Sequence, residues 1–275
     1  MAAPLQPGLA GGRHHRRPVG LGAVSAGLEG GIKGIKGLSR DEAWAASLRG
    51  TVLHTTDGGA TWNVVPHPAA PITQVNRIDA MGTDVWLADA WGNIDPKGAV
   101  IHTQDGGLTW RTEHLPEDGA LTVHAFGPMA VCASGTAATA FYRTVNGGEE
   151  WVKVSEVGLH DHLDDICAAG ADDVWGVQNG DGGAFPRIWR VHVAADGTPD
   201  AENVAPPELA TYQAGGVTCL DTRVAWVVAQ EGPNTVETNP DGIILHTTDG
   251  GETWMQQPAP TDIRYCKVSF VGARR

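Results

Sequence analysis

Three stretches of the sequence are nearly identical. Residues 50–62 read GTVLHTTDGGATW, residues 98–110 read GAVIHTQDGGLTW, and residues 242–254 read GIILHTTDGGETW. A fourth, degenerate copy at residues 141–151, FYRTVNGGEEW, has Asn146 in place of the aspartate. The aspartate or asparagine positions are spaced by 48, 41 and 103 residues, and the last spacing is close to two periods of the repeat. The chain is therefore a tandem repeat in which one unit has lost this motif.

A second landmark, a tryptophan early in the repeat, locates the fourth unit, which lacks the motif. Four units, including the fourth, carry this tryptophan, and the third unit has the segment PMAVCASG around Val131 in its place. The four landmark tryptophans are Trp44, Trp86, Trp175 and Trp226. By these landmarks the units begin near residues 32, 73, 121, 163 and 215, and Ile263 begins a partial further unit.

Each unit reads as four short β-strands. Apolar runs such as residues 75–81 are bounded by turn residues, and no segment has a sustained 3.6-residue period. Four strands in 41–52 residues are typical of a propeller blade. We predict an all-β fold, a β-propeller of four-stranded antiparallel blades over residues 31–275, with about five complete repeats and a partial sixth. Residues 1–30 are predicted to be a flexible, low-complexity segment.

The repeated motif predicts a hairpin turn. Its aspartate can accept hydrogen bonds from backbone N–H groups ahead of it, its glycines permit positive φ, and its tryptophan returns along the last strand to pack on the blade. A catalytic site is a single place, whereas this motif recurs on successive blades, so we predict a structural role. The structural residues are Asp57, Gly59, Trp62, Asp105, Gly107, Trp110, Asn146, Gly148, Trp151, Asp249, Gly251 and Trp254.

Composition narrows the classes of partner. A formal net charge of −13 argues against a nucleic-acid partner, which requires clustered Lys and Arg. No stretch approaches the ~20 apolar residues of a membrane-spanning helix. The four cysteines are widely separated and have no metal-type spacing. We predict that they are small buried side chains rather than disulfides or metal ligands; they are Cys132, Cys167, Cys219 and Cys266.

The motif resembles the Asp-box, or bacterial neuraminidase repeat, of sialidases, sortilin-type receptors, some glucanases and photosystem II assembly-factor-like proteins. With the landmark tryptophan and the repetition in successive units, residues 31–275 are most similar to the photosystem II assembly and stability factor-like proteins. The resemblance implies a seven-bladed propeller and an exported or periplasmic protein, although no signal peptide is recognisable. We expect this chain to be part of a larger propeller, with a smaller propeller as the alternative.

We expect the functional residues to lie in the segments that differ from one repeat to the next. We predict a non-enzymatic scaffold that binds a protein partner without a cofactor. A sialidase or glycoside hydrolase and a glycan-binding lectin are the alternatives, although the sialidase Arg-Ile-Pro motif is absent. Three insertions precede the third strands of their units and are expected to share one rim. Candidate binding residues there are Trp91, Asp95, Asp181, Phe185, Arg187 and Asn234.

The sequence HDHLDD at residues 160–165 is a candidate metal site. Imidazole and carboxylate groups are ligands for divalent cations. His160, His162 and Asp164 are the predicted ligands, and a solvated loop is the alternative.

Overall fold

Each repeat folds into one four-stranded antiparallel sheet. The computed structural model describes residues 31–67, 75–89, 99–115, 120, 122–126, 130–134, 140–156, 163–170, 172–179, 186–231, 242–260, 263, 265 and 267–269. In these residues, twenty strands form five sheets, and the strands of each sheet pair in chain order. The predicted all-β class with four-stranded antiparallel blades is confirmed.

The sheets, here called blades 1 to 5, begin close to the predicted starts of the repeats. Blade 1 contains β1 (Ile32–Gly37), β2 (Ala43–Ser47), β3 (Val52–Thr55) and β4 (Asn63–Val65). Blade 2 contains β5 (Val75–Met81), β6 (Asp84–Asp89), β7 (Ala99–Thr103) and β8 (Arg111–Glu113). Blade 3 contains β9 (Val123–Phe126), β10 (Ala130–Ser134), β11 (Ala140–Thr144) and β12 (Val152–Glu156). Blade 4 contains β13 (Asp165–Ala168), β14 (Asp173–Gln178), β15 (Arg187–Val193) and β16 (Pro199–Asn203). Blade 5 contains β17 (Tyr212–Cys219), β18 (Ala225–Glu231), β19 (Gly242–Thr247) and β20 (Met255–Gln257). A 3₁₀-helix, Pro207–Thr211, precedes β17. None of the described residues forms a helix long and apolar enough to cross a membrane.

The first strand of each blade lies innermost. The inner strands β1, β5, β9, β13 and β17 contact one another in succession and border one central cavity. This arrangement is that of a β-propeller. In the predicted partial sixth unit, the described residues Ile263, Tyr265 and 267–269 form no strand. Residues 267–269 border the central cavity beside the inner strands.

Hydrogen bonds between turns define two faces of the propeller. The turn between the third and fourth strands bonds the turn between the first and second strands of the same blade. Gly58 N donates to Asp41 O at 2.8 Å, and Gly106 N donates to Thr83 O at 3.0 Å. We call the face formed by these turns the box face. Because antiparallel strands alternate in direction, the second-to-third-strand connections and the connections between blades lie on the opposite face, the loop face.

Each intact repeat motif forms a turn held by its own side chains. Asp57 Oδ1 accepts from Thr61 N at 2.8 Å and from Thr55 Oγ1 at 2.9 Å, and Asp57 Oδ2 accepts from Thr61 Oγ1 at 2.6 Å. Gly58 and Gly59 adopt φ of 71° and 86°, which side chains with a β-carbon rarely adopt. The same bonds recur at Asp105 and Asp249.

The degenerate copy keeps part of this network. Asn146 Oδ1 accepts from Glu150 N at 3.1 Å and from Thr144 Oγ1 at 2.8 Å. In blade 4, which lacks the motif, Asp196 Oδ1 accepts from Thr198 N at 2.9 Å. The turn therefore survives in both blades with fewer side-chain bonds.

Stacked ring pairs fill the interior of the blades. The landmark tryptophan of a blade packs on the histidine that precedes its repeat motif, and the rings are nearly parallel. Centroid separations are 3.9 Å for Trp44 and His54, 3.3 Å for Trp86 and His102, and 4.4 Å for Trp226 and His246.

A disulfide joins blades 4 and 5, so the prediction that the cysteines are unpaired apolar side chains was wrong for two of them. Cys167 of β13 and Cys219 of β17 are bonded, with their Cα atoms 5.9 Å apart. Neighbouring inner strands run side by side here, and Asp165 Oδ2 also accepts from Val217 N at 3.2 Å. The equivalent positions of two cysteines in consecutive repeats place them opposite each other, which is the geometry a disulfide requires.

Candidate functional site

Charged side chains from different blades converge at the centre of the propeller. The central cavity has a volume of about 420 Å³ and is bordered by all five inner strands and residues 267–269. Inner strands otherwise rich in apolar and small residues contribute Lys36, Arg77, Asp79, His124 and Asp165 to its wall. These residues form two linked clusters.

The first cluster is centred on Asp79 of β5. Asp79 Oδ1 lies 2.5 Å from Lys36 Nζ of blade 1, and Asp79 Oδ2 accepts from Ala125 N of blade 3 at 2.7 Å. His124 Nδ1 lies 3.7 Å from the same Oδ2. Burial lowers the pKa of His124 from its ordinary value, against the opposing effect of the Asp79 charge. Asp79 thus ties three successive inner strands together.

The second cluster lies at the loop face and is centred on the start of β13. Arg77 Nε and Lys267 Nζ lie 3.6 Å and 3.1 Å from carboxylate oxygens of Asp165. Arg77 Nη2 and Lys267 Nζ each also donate to Asp164 O at 3.2 Å. Two cations from distant parts of the chain therefore meet the carboxylate of Asp165 and the main-chain oxygen of Asp164.

A smaller pocket of about 220 Å³ opens beside this second cluster. We call it the mouth pocket. Its wall combines the charged cluster with three side-chain amides, a bulged segment of β17 and one phenol. The residues that border it are Arg77, Asp164, Asn179, Gln213, Ala214, Gly215, Gln230, Tyr265 and Lys267.

The candidate rim residues fall mostly outside the described part of the chain. Trp91, Asp95, Asp181, Phe185 and Asn234 are among the residues not described, and their predicted role stays a prediction. The strand ends that flank the three insertions lie on the loop face. They are Asp89 and Ala99, Gln178 and Arg187, and Glu231 and Gly242.

Arg187 is the one candidate rim residue that the structure describes. It begins β15, and its guanidinium carbon lies 5.7 Å from the ring centroid of Trp189. Trp189 Nε1 in turn donates to Gln178 Oε1 at 3.3 Å. Arg187 and Trp189 therefore form a half-buried cation–π pair next to the insertion of blade 4.

Only one of the three predicted metal ligands, Asp164, lies in the described part of the chain. His160 and His162 lie outside the described residues. Asp164 Oδ2 accepts from Asn179 N at 2.7 Å, so this carboxylate helps to join β13 to the end of β14. Among the described residues, no three His, Cys, Asp or Glu side chains are grouped as metal ligands.

Sequence reasoning missed the charged clusters of the channel. Arg77 and Asp79 alternate with apolar residues in β5, whereas Asp165 is the first residue of β13 and precedes three apolar residues. Charged residues within the otherwise apolar first strand of a unit were the available signal. Lys267 carried the same signal, because it lies in the partial further unit predicted to begin at Ile263, although its segment forms no strand among the described residues.

The chain is similar to several solved structures. Among solved structures, it is similar to YCF48 from Cyanidioschyzon merolae, with 17% identity, 84% of this chain and 86% of that chain covered, and a TM-score of 0.45. YCF48 bound to a D1 peptide gives 16% identity, 82% and 80% coverage and a TM-score of 0.46. An ancestral GH74 enzyme gives 13% identity, 83% and 31% coverage and a TM-score of 0.61, which shows a shared propeller fold.

The sequence itself identifies the family. No curated protein sequence matches the chain. The family model described as photosynthesis system II assembly factor YCF48 matches residues 24–184, which is more than half of the chain. The chain therefore belongs to the photosynthesis system II assembly factor YCF48 family.

Proposed function

We propose that this protein is a non-enzymatic assembly scaffold that holds a client protein on its loop face. The observation that carries the proposal is the convergence of Arg77, Lys267 and the acidic residues Asp164 and Asp165 at the loop-face end of the channel. Membership in an assembly-factor family supports a protein client.

The two faces differ in what they offer to a partner. On the box face, the aspartates bond threonines of their own turns, and this pattern repeats from blade to blade. The loop face carries the non-repeating features, which are the mouth pocket, the Arg187–Trp189 pair and the ends of the three insertions. Specific recognition requires a non-repeating set of contacts, and this favours the loop face.

The charge of the protein also restricts the client. A net charge of −13 repels strongly acidic surfaces at long range. A client surface that is basic or uncharged therefore fits the loop face best.

A matched pair of charge reversals tests the proposal. Arg187→Glu changes the loop face, whereas Arg40→Glu makes the same change in an exposed residue of the turn between β1 and β2, on the box face. Immobilised protein is used to capture clients from a native extract, and a D1 peptide serves as a defined probe. We expect Arg187→Glu to weaken capture at least tenfold and Arg40→Glu to leave it unchanged. Equal effects of the two variants would contradict the proposal.

A further inference from the structure

We infer that the mouth pocket is a binding site for one uncharged sugar ring. The pocket lies on the loop face proposed above for the client, but sugar binding there does not depend on a client. Four properties of the pocket support the inference: its balanced charge, its side-chain amides, a main-chain bulge and its size.

The charges around the pocket cancel. Arg77 and Lys267 contribute two positive charges, and both lie 3.1–3.6 Å from oxygens of the Asp165 carboxylate. Both cations also donate to the main-chain oxygen of Asp164 at 3.2 Å. The carboxylate of Asp164, which accepts from Asn179 N at 2.7 Å, supplies the second negative charge. Because the cations already have acidic partners, an anionic ligand would have to compete with Asp165 for them. A neutral polar ligand can use the remaining hydrogen-bonding capacity without displacing an ion pair.

Three side-chain amides border the pocket. Gln230 Nε2 donates to Gln213 Oε1 at 3.1 Å, which fixes these two amides relative to each other. Asn179 also borders the pocket, and its Oδ1 has no hydrogen-bond partner among the described residues. An amide presents both donors and acceptors, and the hydroxyl groups of a sugar both donate and accept.

The main chain of β17 opens at the same place. Its pairing with β18 shifts register between Ala214 and Gly216, so Gly215 stands out of the ladder. Bulges redirect the strand, and a glycine in a strand allows close approach of a ligand to the backbone. The bulge therefore adds main-chain hydrogen-bonding groups to the pocket wall.

Tyr265 closes the pocket on the side of β19. Its ring lies against Gly242, where a β-carbon would collide with it, and its hydroxyl donates to Pro260 O at 3.2 Å. An aromatic ring with a polar edge is suited to packing against the apolar face of a sugar. The volume of about 220 Å³ is below that of sites for drug-sized ligands, roughly 300–1,000 Å³. It accommodates a single ring rather than an extended peptide.

Ligand titration of the full chain tests this site. Glucose, galactose, xylose and N-acetylglucosamine are titrated by saturation-transfer NMR and calorimetry, with glucuronate as the charged counterpart and a Ser-Gly-Ser-Gly peptide as the competing class. We expect saturable binding of at least one neutral sugar and weaker binding of glucuronate. Gln213→Ala and Tyr265→Ala should each weaken the binding at least tenfold. Gln256→Ala, an exposed change on the outer strand of the same blade, should have no effect.

Gln213→Glu, which keeps the size of the side chain, guards against loss of folding in the alanine variants. It should retain the thermal transition of the parent and still weaken sugar binding. The inference is overturned if no neutral sugar binds saturably, if the Gln213 and Tyr265 variants bind as the parent does, or if the peptide binds in place of the sugars. Client capture is measured separately on Arg187→Glu, so failure of one proposal is distinguishable from failure of the other.

Discussion

At the scale of single residues, the box aspartates show how a turn can depend on ionisation. Hydrogen bonds from the side chain and backbone of Thr61, and from Thr55, lower the pKa of Asp57 from 3.8 to about 2. Asp105 and Asp249 have the same kind of partners, and the pKa of each is also lowered to about 2. A carboxyl whose pKa is lowered by folding stabilises the folded state above its unfolded pKa, and this contribution is lost as pH falls through the folded pKa.

Asp57→Asn is expected to make stability less dependent on pH between about 4 and 2. The amide keeps an oxygen for Thr55 and Thr61 N, as Asn146 does for its own turn, but it does not ionise. Urea unfolding at intervals from pH 5 to pH 2 measures the slope. Glu252→Gln is the control for loss of an exposed negative charge within another copy of the repeat motif. An unchanged slope in Asp57→Asn would contradict the linkage.

The contacts that could be predicted from the sequence are those between residues a few positions apart in the chain. The box aspartate and its threonine are four residues apart, so the turn chemistry could be predicted from the motif alone. Cys167 and Cys219 are 52 residues apart, and their pairing depends on the register between two blades. Their equivalent positions in consecutive repeats are visible in the sequence, but the side-by-side packing of the two inner strands is not.

At the scale of strands and blades, tryptophans pair across the interfaces between blades. Trp86 of blade 2 meets Trp151 of blade 3 edge to face, with centroids 6.2 Å apart and an interplanar angle of 90°. Trp175 of blade 4 meets Trp254 of blade 5 in the same way, at 6.2 Å and 85°. The landmark tryptophan of one blade thus packs against the box tryptophan, the last residue of the repeat motif, of the next blade.

This packing of tryptophans explains why blades 3 and 4 each lack one of the two tryptophans. Blade 3 has Cys132 in the strand that carries the landmark tryptophan elsewhere, and blade 4 has no box tryptophan. Both tryptophans of the pair are therefore missing at the interface between blades 3 and 4. A large ring facing an absent partner would leave a cavity, which accounts for their joint loss.

Trp151→Ala should destabilise the protein by about 3–5 kcal/mol, the usual cost of removing a buried aromatic side chain. Trp151 is 7% exposed, and its Nε1 donates to Glu113 Oε2 at 3.1 Å. Trp62→Ala is the matched control, because Trp62 occupies the same place in blade 1 but is only half-buried. Chemical denaturation measures both variants, and an equal loss in the two would argue against the pairing rule.

The disulfide is expected to stabilise the fold by restricting the unfolded chain. It closes a loop with a sequence separation of 52, for which the chain-entropy relation gives about 4 kcal/mol. Thermal unfolding with and without reductant should show a lower midpoint for the reduced protein. The Cys167→Ser/Cys219→Ser variant should unfold like the reduced parent and not respond to reductant. A reductant effect that persists in the double variant would rule out this source of stability.

At the scale of the whole molecule, the repeat period was sufficient to predict the number and limits of the five described blades. It was not sufficient to predict the channel, because the packing of the inner strands around one cavity brings together residues that no local pattern connects. Arg77 and Lys267 reach Asp164 across 87 and 103 residues of chain. The candidate site therefore emerges only when the inner strands are arranged in space.

Client binding on the loop face is tested most directly by hydrogen–deuterium exchange of the protein with and without its captured client. We expect the client to slow amide exchange at the start of β13, at the bulge of β17 and at the start of β15, while the turns at residues 57–61, 105–109 and 249–253 exchange as in the free protein. Slower exchange confined to those turns would place the client on the box face and contradict the proposed function.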